Sequence, residues 1–309
     1  MKKVEFTYDS RDNASKIHAV RYLPEDGSVK AVVQIVHGMA EYVERYEELA
    51  EFLTGRGFLV TGGDHLGHGG SSAEKDYGYF CEQDPATVVV RDVHRLKKMT
   101  QQLFPNVPYV ILGHSMGSFI LRNYLSRYGS GIQGAIIMGT GQQPKALVKA
   151  GKLLASMIGL FKGRRYVSNL MQIIAFGSYC DAIKPVRSNF DWLTKENDRV
   201  DRYIADPKCG FTFTLNGFQT LFELIDRSGK MEDISLIPKD LPVFFMAGSE
   251  DPVGDYGKGV KLACDAMAQA EMKKLSMKMY ENDRHEILNE TDRAVVMEDI
   301  YAWIVENVL

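Results

Sequence analysis

The chain has 309 residues, of which 45% are hydrophobic and 25% charged, with a formal net charge of −3. This suits a soluble globular protein with one large α/β domain and room for a modest insertion; it gives no electrostatic footprint for nucleic acid, and no apolar run is long enough for a membrane span. Cys81, Cys180, Cys209 and Cys264 share no CxxC or zinc-site spacing, so they read as reduced thiols of a cytoplasmic protein.

Lys2 and Lys3 resemble the start of a leader, but Glu5 and Asp9 interrupt any apolar stretch behind them. Val4–Tyr8 and Lys16–Leu23 read as paired strands around a polar turn, and Ala31–Val36 as a buried β-branched strand. Tyr46, Leu49, Ala50 and Leu53 recur at helical spacing and predict a helix over Glu44–Thr54, ended by Gly55 and Gly57. Strand Phe58–Thr61, helix Pro85–Phe104, strand Tyr109–Leu112, helix Phe119–Tyr128 and strand Ala135–Met138 follow. Strands alternating with helices imply a mostly parallel sheet covered on both faces. From Gln142 to Ile237 the patterns are helical only. Strand Leu241–Ala247, helix Gly259–Ala270, strand Leu275–Tyr280 and helix Arg293–Val308 then resume the rhythm. The expectation is a core of residues 1–141 and 238–309, interrupted by a helical cap of residues 142–237.

Gly113-His114-Ser115-Met116-Gly117 follows a strand and precedes a helix. That context defines a nucleophile elbow, in which small residues two places either side of the serine let the chain turn tightly and lift its Oγ above the sheet. Serine needs a base, and on such a fold acid and then histidine follow it in chain order. His285 is the only histidine after Ser115, and it sits just past the last strand. The acid belongs after the preceding strand, where Glu250, Asp251 and Asp255 compete; Asp251 is favoured because Pro252 ends the ladder and fixes the turn. Two backbone N–H groups must hold an oxyanion. Met116 supplies one, and Met39, in His37-Gly38-Met39-Ala40-Glu41 after the third strand, supplies the other. His37 reads as a structural hydrogen-bonding residue of that loop. Asp64-His65-Leu66-Gly67-His68-Gly69-Gly70-Ser71 lacks a full metal-ligand set and matches no phosphate-binding fingerprint, so it reads as a structural loop. No cofactor is implied.

These motifs occur together in one family. The chain resembles the bacterial lysophospholipase, monoacylglycerol lipase and serine aminopeptidase-like branch of the α/β hydrolases. The resemblance rests on the His37–Glu41 loop with Arg45-Tyr46, the Asp64–Ser71 loop, Gly113–Gly117, Gly248-Ser249-Glu250-Asp251-Pro252-Val253, and His285-Glu286 with Asn289-Glu290. It implies an α/β-hydrolase fold with an eight-stranded, mostly parallel sheet flanked by helices, its second strand antiparallel and a helical cap inserted after strand six. It also implies a triad of Ser115, Asp251 and His285 with oxyanion donors at Met39 and Met116. Tyr42 departs from the pattern, since lipase relatives often carry histidine there.

The cap opens with Leu147, Ala150, Leu154, Met157, Ile158 and Phe161 at helical spacing, accompanied by Lys145, Lys149, Lys152, Lys162, Arg164 and Arg165. Such a helix either packs over the site with a solvated basic face or rests on anionic lipid, peripheral to a membrane. Met157, Ile158, Met171, Ile173, Ile174 and Phe176 are candidates for lining an acyl pocket. The expected activity is a serine carboxylic ester hydrolase acting on lysophospholipid, monoacylglycerol or similar lipid-like esters through an acyl-enzyme. The alternative is an aminopeptidase of the proline-iminopeptidase type, which needs a cap carboxylate for the substrate ammonium; Asp181, Asp191, Glu196, Asp198 and Asp201 are available. A non-catalytic binding protein is at odds with the complete triad, and an epoxide hydrolase with serine at position 115.

Overall fold

The computed structural model describes residues 1–309. Strands β1 (Lys2–Asp9) and β2 (Lys16–Leu23) form an antiparallel pair. Their turn is fixed by the Asp12 carboxylate, which accepts the backbone N–H groups of Ala14 and Ser15. Strand β3 (Ala31–Val36) is buried throughout. The helix expected from Glu44 is instead a 3₁₀ turn, Val43–Tyr46, followed by α1 (Glu47–Thr54); in that turn Arg45 and Tyr46 point at buried carboxylates rather than along a helix face. There follow β4 (Phe58–Gly63), α2 (Pro85–Leu103), β5 (Tyr109–His114), α3 (Met116–Tyr128) and β6 (Gly134–Met138). Between β6 and the next strand lie α4 (Lys145–Lys162), α5 (Asn169–Phe176), α6 (Asn197–Ala205), α7 (Leu215–Ser228) and α8 (Met231–Ile234). The chain ends with β7 (Val243–Gly248), α9 (Lys258–Gln269), β8 (Leu275–Tyr280) and α10 (Arg293–Asn307). Strand β7 starts two residues later than the apolar run at Leu241, because Pro242 has no N–H to give a ladder.

The eight strands form one sheet in the order β1-β2-β4-β3-β5-β6-β7-β8. β2 is antiparallel to both of its neighbours and all pairs from β4 to β8 are parallel. This is the α/β-hydrolase sheet. Alternate residues of each strand face opposite layers. Val32, Ile111, Ile137 and Phe245 join a core of 44 buried residues with α2, α3, α7 and α9, while Val33, Val110, Ile136 and Phe244 join one of 25 with α1 and α10. Each fully buried aliphatic side chain contributes about 1.5–3 kcal/mol, so the two layers hold the strand ends, and the loops leaving them, in fixed positions. Within the insertion, α4 packs on α7 and α7 packs on α3; Phe218, Leu221 and Leu224 of α7 belong to the larger core.

Candidate active site

The elbow between β5 and α3 leaves no spare room. A Cβ on Gly113 would lie 2.4 Å from the Gly117 carbonyl oxygen, and a Cβ on Gly117 would lie 1.9 Å from that of Val36. Only glycine fits at either place. Ser115 itself sits at φ 53°, ψ −121°, a conformation that L-residues avoid and that persists where surrounding packing enforces it. The Ser115 N–H donates to Met138 O at 3.0 Å, and α3 begins at Met116, whose own N–H finds no acceptor within the protein.

The loop after β3 comes to meet this turn. A Cβ on Gly38 would touch Ser115 Cβ at 3.1 Å. The Gly38 N–H is taken by Glu41 Oε1, whereas the Met39 N–H, like that of Met116, is left without an acceptor. The Gly38 and Ser115 donors on either side of this gap are engaged, and those of Met39 and Met116 are not. Behind the loop, His37 Nδ1–H donates to Gly38 O, and its Nε2 accepts the His65 N–H at 2.9 Å. Burial pushes His37, His65 and His68 below the ordinary histidine range, His68 to about 3, which favours the neutral form of these three clustered rings. The Asp64 carboxylate accepts the N–H groups of Val43 and Gly70. No three His, Cys, Asp or Glu side chains converge where a metal ion would sit.

Of the three candidate acids, Asp251 is the one that meets the histidine. His285 Nδ1 lies 2.9 Å from Asp251 Oδ2, and both residues are buried; the other carboxylate oxygen accepts the Val253 N–H. Glu250 instead pairs with Lys195, and Asp255 is exposed. His285 Nε2 is buried without a hydrogen-bond partner, so the structure places no bond between it and Ser115 Oγ; such bonds are often open before substrate binds. The Trp192 ring lies beside that of His285, with centroids 5.0 Å apart and planes tilted by 43°. Its carbonyl accepts the His285 N–H, and that of Leu193 accepts the Glu286 N–H.

Sequence reasoning missed the groups beneath. Arg45 Nη1 donates to Glu41 Oε2 and, with Nη2, forms a bidentate pair with Glu286 at 2.7 and 2.8 Å. The Tyr46 hydroxyl donates to Glu41 and lies 2.9 Å from His114 Nδ1, while His114 Nε2 faces His285 O at 3.3 Å. Burial favours the neutral form of each, yet their mutual charges prevail. Arg45 and His114 hold Glu41 and Glu286 below the carboxylate range, and Glu41 raises His114. Two carboxylates thus face Arg45 and His114 beneath the loops that carry Ser115 and His285. Low polarity strengthens such pairs, and complete pairing makes their burial tolerable.

Ser115, His285, Met39 and Met116 all line one cavity of about 630 Å³. Its far walls are apolar: Leu147, Val148 and Leu154 from α4, Ile174 and Phe176 from α5, and Leu221, Phe222 and Ile225 from α7. The six predicted lining residues divide. Ile174 and Phe176 are there; Met171 is instead wholly buried in the core and Ile158 packs against it, while Met157 and Ile173 are 45% and 66% exposed. α5 is only eight residues long, and a 3.6-residue period sends its methionine and first isoleucine to other faces. Tyr42, the departure from the family pattern, reaches across to the insertion, donating to Asp206 at 2.8 Å.

The sequence matches the serine aminopeptidase S33 family over residues 27–292. It is 28% identical over 286 residues to a monoglyceride lipase homolog of Monkeypox virus, covering 90% of this chain and 91% of that protein. It is 26% identical to the monoglyceride lipase of Mus musculus, covering 92% and 85%. A highly thermostable carboxyl esterase from Bacillus coagulans superposes with a TM-score of 0.91 at 28% identity, over 100% of both chains. With the sheet order, the elbow and a match that spans most of the chain, the protein belongs to the serine aminopeptidase S33 family of α/β hydrolases and is a serine hydrolase.

Proposed function

We propose that this chain hydrolyses lipid-like carboxylic esters, such as monoacylglycerols or lysophospholipids, with Ser115, His285 and Asp251 as its triad. One observation carries this reading: the apolar walls of α4, α5 and α7 converge on a cavity that also holds Ser115 and His285. The names of the relatives, monoglyceride lipases and a carboxyl esterase, point the same way. Asp251, bonded to Nδ1–H, fixes the tautomer that leaves Nε2 free to accept a proton. Ser115 Oγ attacks the ester carbonyl as His285 takes its proton. The oxyanion settles on the free N–H groups of Met39 and Met116. His285 then protonates the departing alcohol, leaving an acyl-enzyme that water, activated by the same histidine, hydrolyses. Residues 142–237 act as a cap over the acyl chain.

The aminopeptidase reading needs an unpaired carboxylate facing the cavity. Asp181, Asp191, Glu196, Asp198 and Asp201 are not among the lining residues; Asp191 is bonded to Ser188, Glu196 to Thr291 and Asp201 to Arg187. Glu41 and Glu286 line the cavity but are paired with Arg45. Only Asp255, on the exposed rim, remains. Its exposure to water makes it a weak anchor for an ammonium, so the ester reading is preferred. It is tested with p-nitrophenyl esters of increasing chain length beside aminoacyl p-nitroanilides. Ester turnover favouring medium or long chains, lost in Ser115→Ala together with fluorophosphonate labelling, is expected. Anilide turnover without ester turnover would replace it with the peptidase reading.

The same insertion is suited to anionic lipid. Leu153, Leu160, Phe161, Leu170 and Ile173 are 61, 84, 88, 54 and 66% exposed. Lys152 is paired with Glu223, but Lys145, Lys149 and Lys162 have no carboxylate partner. An apolar tip with Lys162 at its edge, and Lys145 and Lys149 farther back along α4, offers a negatively charged bilayer both burial and charge. No helix is long and apolar enough to cross one. Sedimentation with phosphatidylglycerol vesicles but not with phosphatidylcholine vesicles is expected; binding to neither removes this part of the proposal.

A further inference from the structure

Arg122 is a buried cation with no carboxylate partner. It is 3% exposed in the middle of α3, and burial pushes its guanidinium down to about 10. Its hydrogen bonds go to neutral acceptors: Nη1 to Gly141 O at 2.8 Å and Thr140 Oγ1 at 3.4 Å, and Nη2 to Gln142 Oε1 at 2.7 Å and Ser228 O at 3.0 Å. A charge kept inside a protein without a counter-charge is strongly unfavourable, so its acceptors matter. They lie at two places. Thr140–Gln142 is where the chain leaves β6 for the insertion, and Ser228 ends α7, the last long helix of the insertion, with only the short α8 between it and β7. One planar guanidinium, which can serve several acceptors at once, therefore binds both roots of the insertion.

Those roots adjoin the catalytic acid. Gln142 and Gln143 line the cavity. Gln143 Nε2 donates to Val253 O at 3.2 Å, and the Val253 N–H donates to Asp251. Backbone meets backbone here, since a Cβ on Gly141 would lie 2.5 Å from Val253 O. Gln142 also reaches the other root, because a Cβ on Gly229 would lie 2.3 Å from its Nε2.

We propose that Arg122 is a positioning residue that clamps the two roots of the insertion together and so holds the cavity wall at Gln142 and Gln143 against the acyl chain of the substrate. This rests on the ester-hydrolase reading of the cavity. A long-chain ester lies against more of that wall than a short one does, so loosening the wall weakens long-chain binding most, while the Val253 N–H stays with Asp251.

The test compares wild type, Arg122→Met and Arg122→Lys with acetyl and decanoyl p-nitrophenyl esters, alongside amide hydrogen exchange. In Arg122→Met, KM for the decanoyl ester is expected to rise tenfold or more with kcat within threefold, and acetyl ester kcat/KM to stay within threefold. Exchange is expected to accelerate at least tenfold in residues 139–143 and 228–231, leaving β5 and β6 unchanged. Arg122→Lys, with a charge but no fork, is expected to recover part of both effects, and it shows the same pattern at smaller size should Arg122→Met not fold. Equal kcat losses on both esters, exchange rising uniformly across the chain, or no change in the two segments would each overturn the proposal. A wild type inactive on both esters would remove the ester reading instead, and the exchange pattern alone would then decide whether Arg122 is the clamp.

Discussion

Helices α3 and α4 border the same cavity, but one is inside the protein and the other largely outside it. Ten consecutive residues of α3, Met116–Leu125, are buried, whereas α4 buries only Val148 and Ala155 over its 18 residues. On the α3 side the wall is made of fixed polar groups: a strained serine, two unoccupied N–H groups and a buried charge quartet. On the α4 side it is made of aliphatic side chains with few partners. Chemistry needs atoms placed to within a fraction of an ångström, while an acyl chain needs only apolar surface of adequate extent. The two walls differ as those needs differ, and substitutions should reveal it.

The largest effect belongs to the sheet side. Asp251→Asn keeps the shape but loses the acceptor that fixes the His285 tautomer, and kcat on the preferred ester should fall about 10³–10⁴-fold with an unchanged circular dichroism spectrum. A loss under tenfold would mean another group orients His285. Next comes Gly117→Ala. Its Cβ has no space beside Val36 O, so urea unfolding should register a loss of about 3 kcal/mol or more, where Gly159→Ala in α4, whose Cβ would only reach ordinary contact with Leu215 at 3.8 Å, should be neutral or slightly stabilising.

The charge quartet should show in pH dependence. Glu41 is held below its ordinary 4.5, so the stability it gives is present above that pH and lost as pH falls toward its folded value; His114 is raised above 6.5, so its contribution is full below that pH and lost as pH rises through its folded value. Thermal unfolding should therefore find the quartet most stabilising between about pH 4.5 and 6.5. Glu41→Gln, which breaks a buried pair, should cost about 3 kcal/mol in that window and flatten both limbs; equal losses at pH 5 and pH 9 would deny the quartet its electrostatic role. The smallest effect is expected at the tip of α4. Leu160→Asp with Phe161→Asp should leave stability within about 0.5 kcal/mol and acetyl ester turnover unchanged, yet abolish vesicle binding. A large stability loss there would mean that the tip is packed rather than exposed.

How much of this was legible differs between the walls. Ser115 and His285 stood out because a tight turn admits only glycine on either side and because chain order left one histidine. Choosing Asp251 over Glu250 and Asp255 required a rule about strand ends, and the hydrogen bond to His285 now distinguishes them. The quartet was hidden because Arg45 and Glu286 are 241 positions apart, and no local period joins them. Arg122 looked like any helical arginine for the same reason. On the cap, periodicity marked α4 and α5 as amphipathic but misassigned four of six lining residues.

The sequence by itself determined the alternation of strands and helices, the elbow and the order of the triad candidates, because backbone sterics and side-chain periodicity act over a few residues. Only the tertiary structure decided which carboxylate meets His285, which donors stay free, which cap residues face the cavity and which buried charges find partners. Those outcomes depend on distances between segments far apart in the chain, set when the two apolar layers close on the sheet.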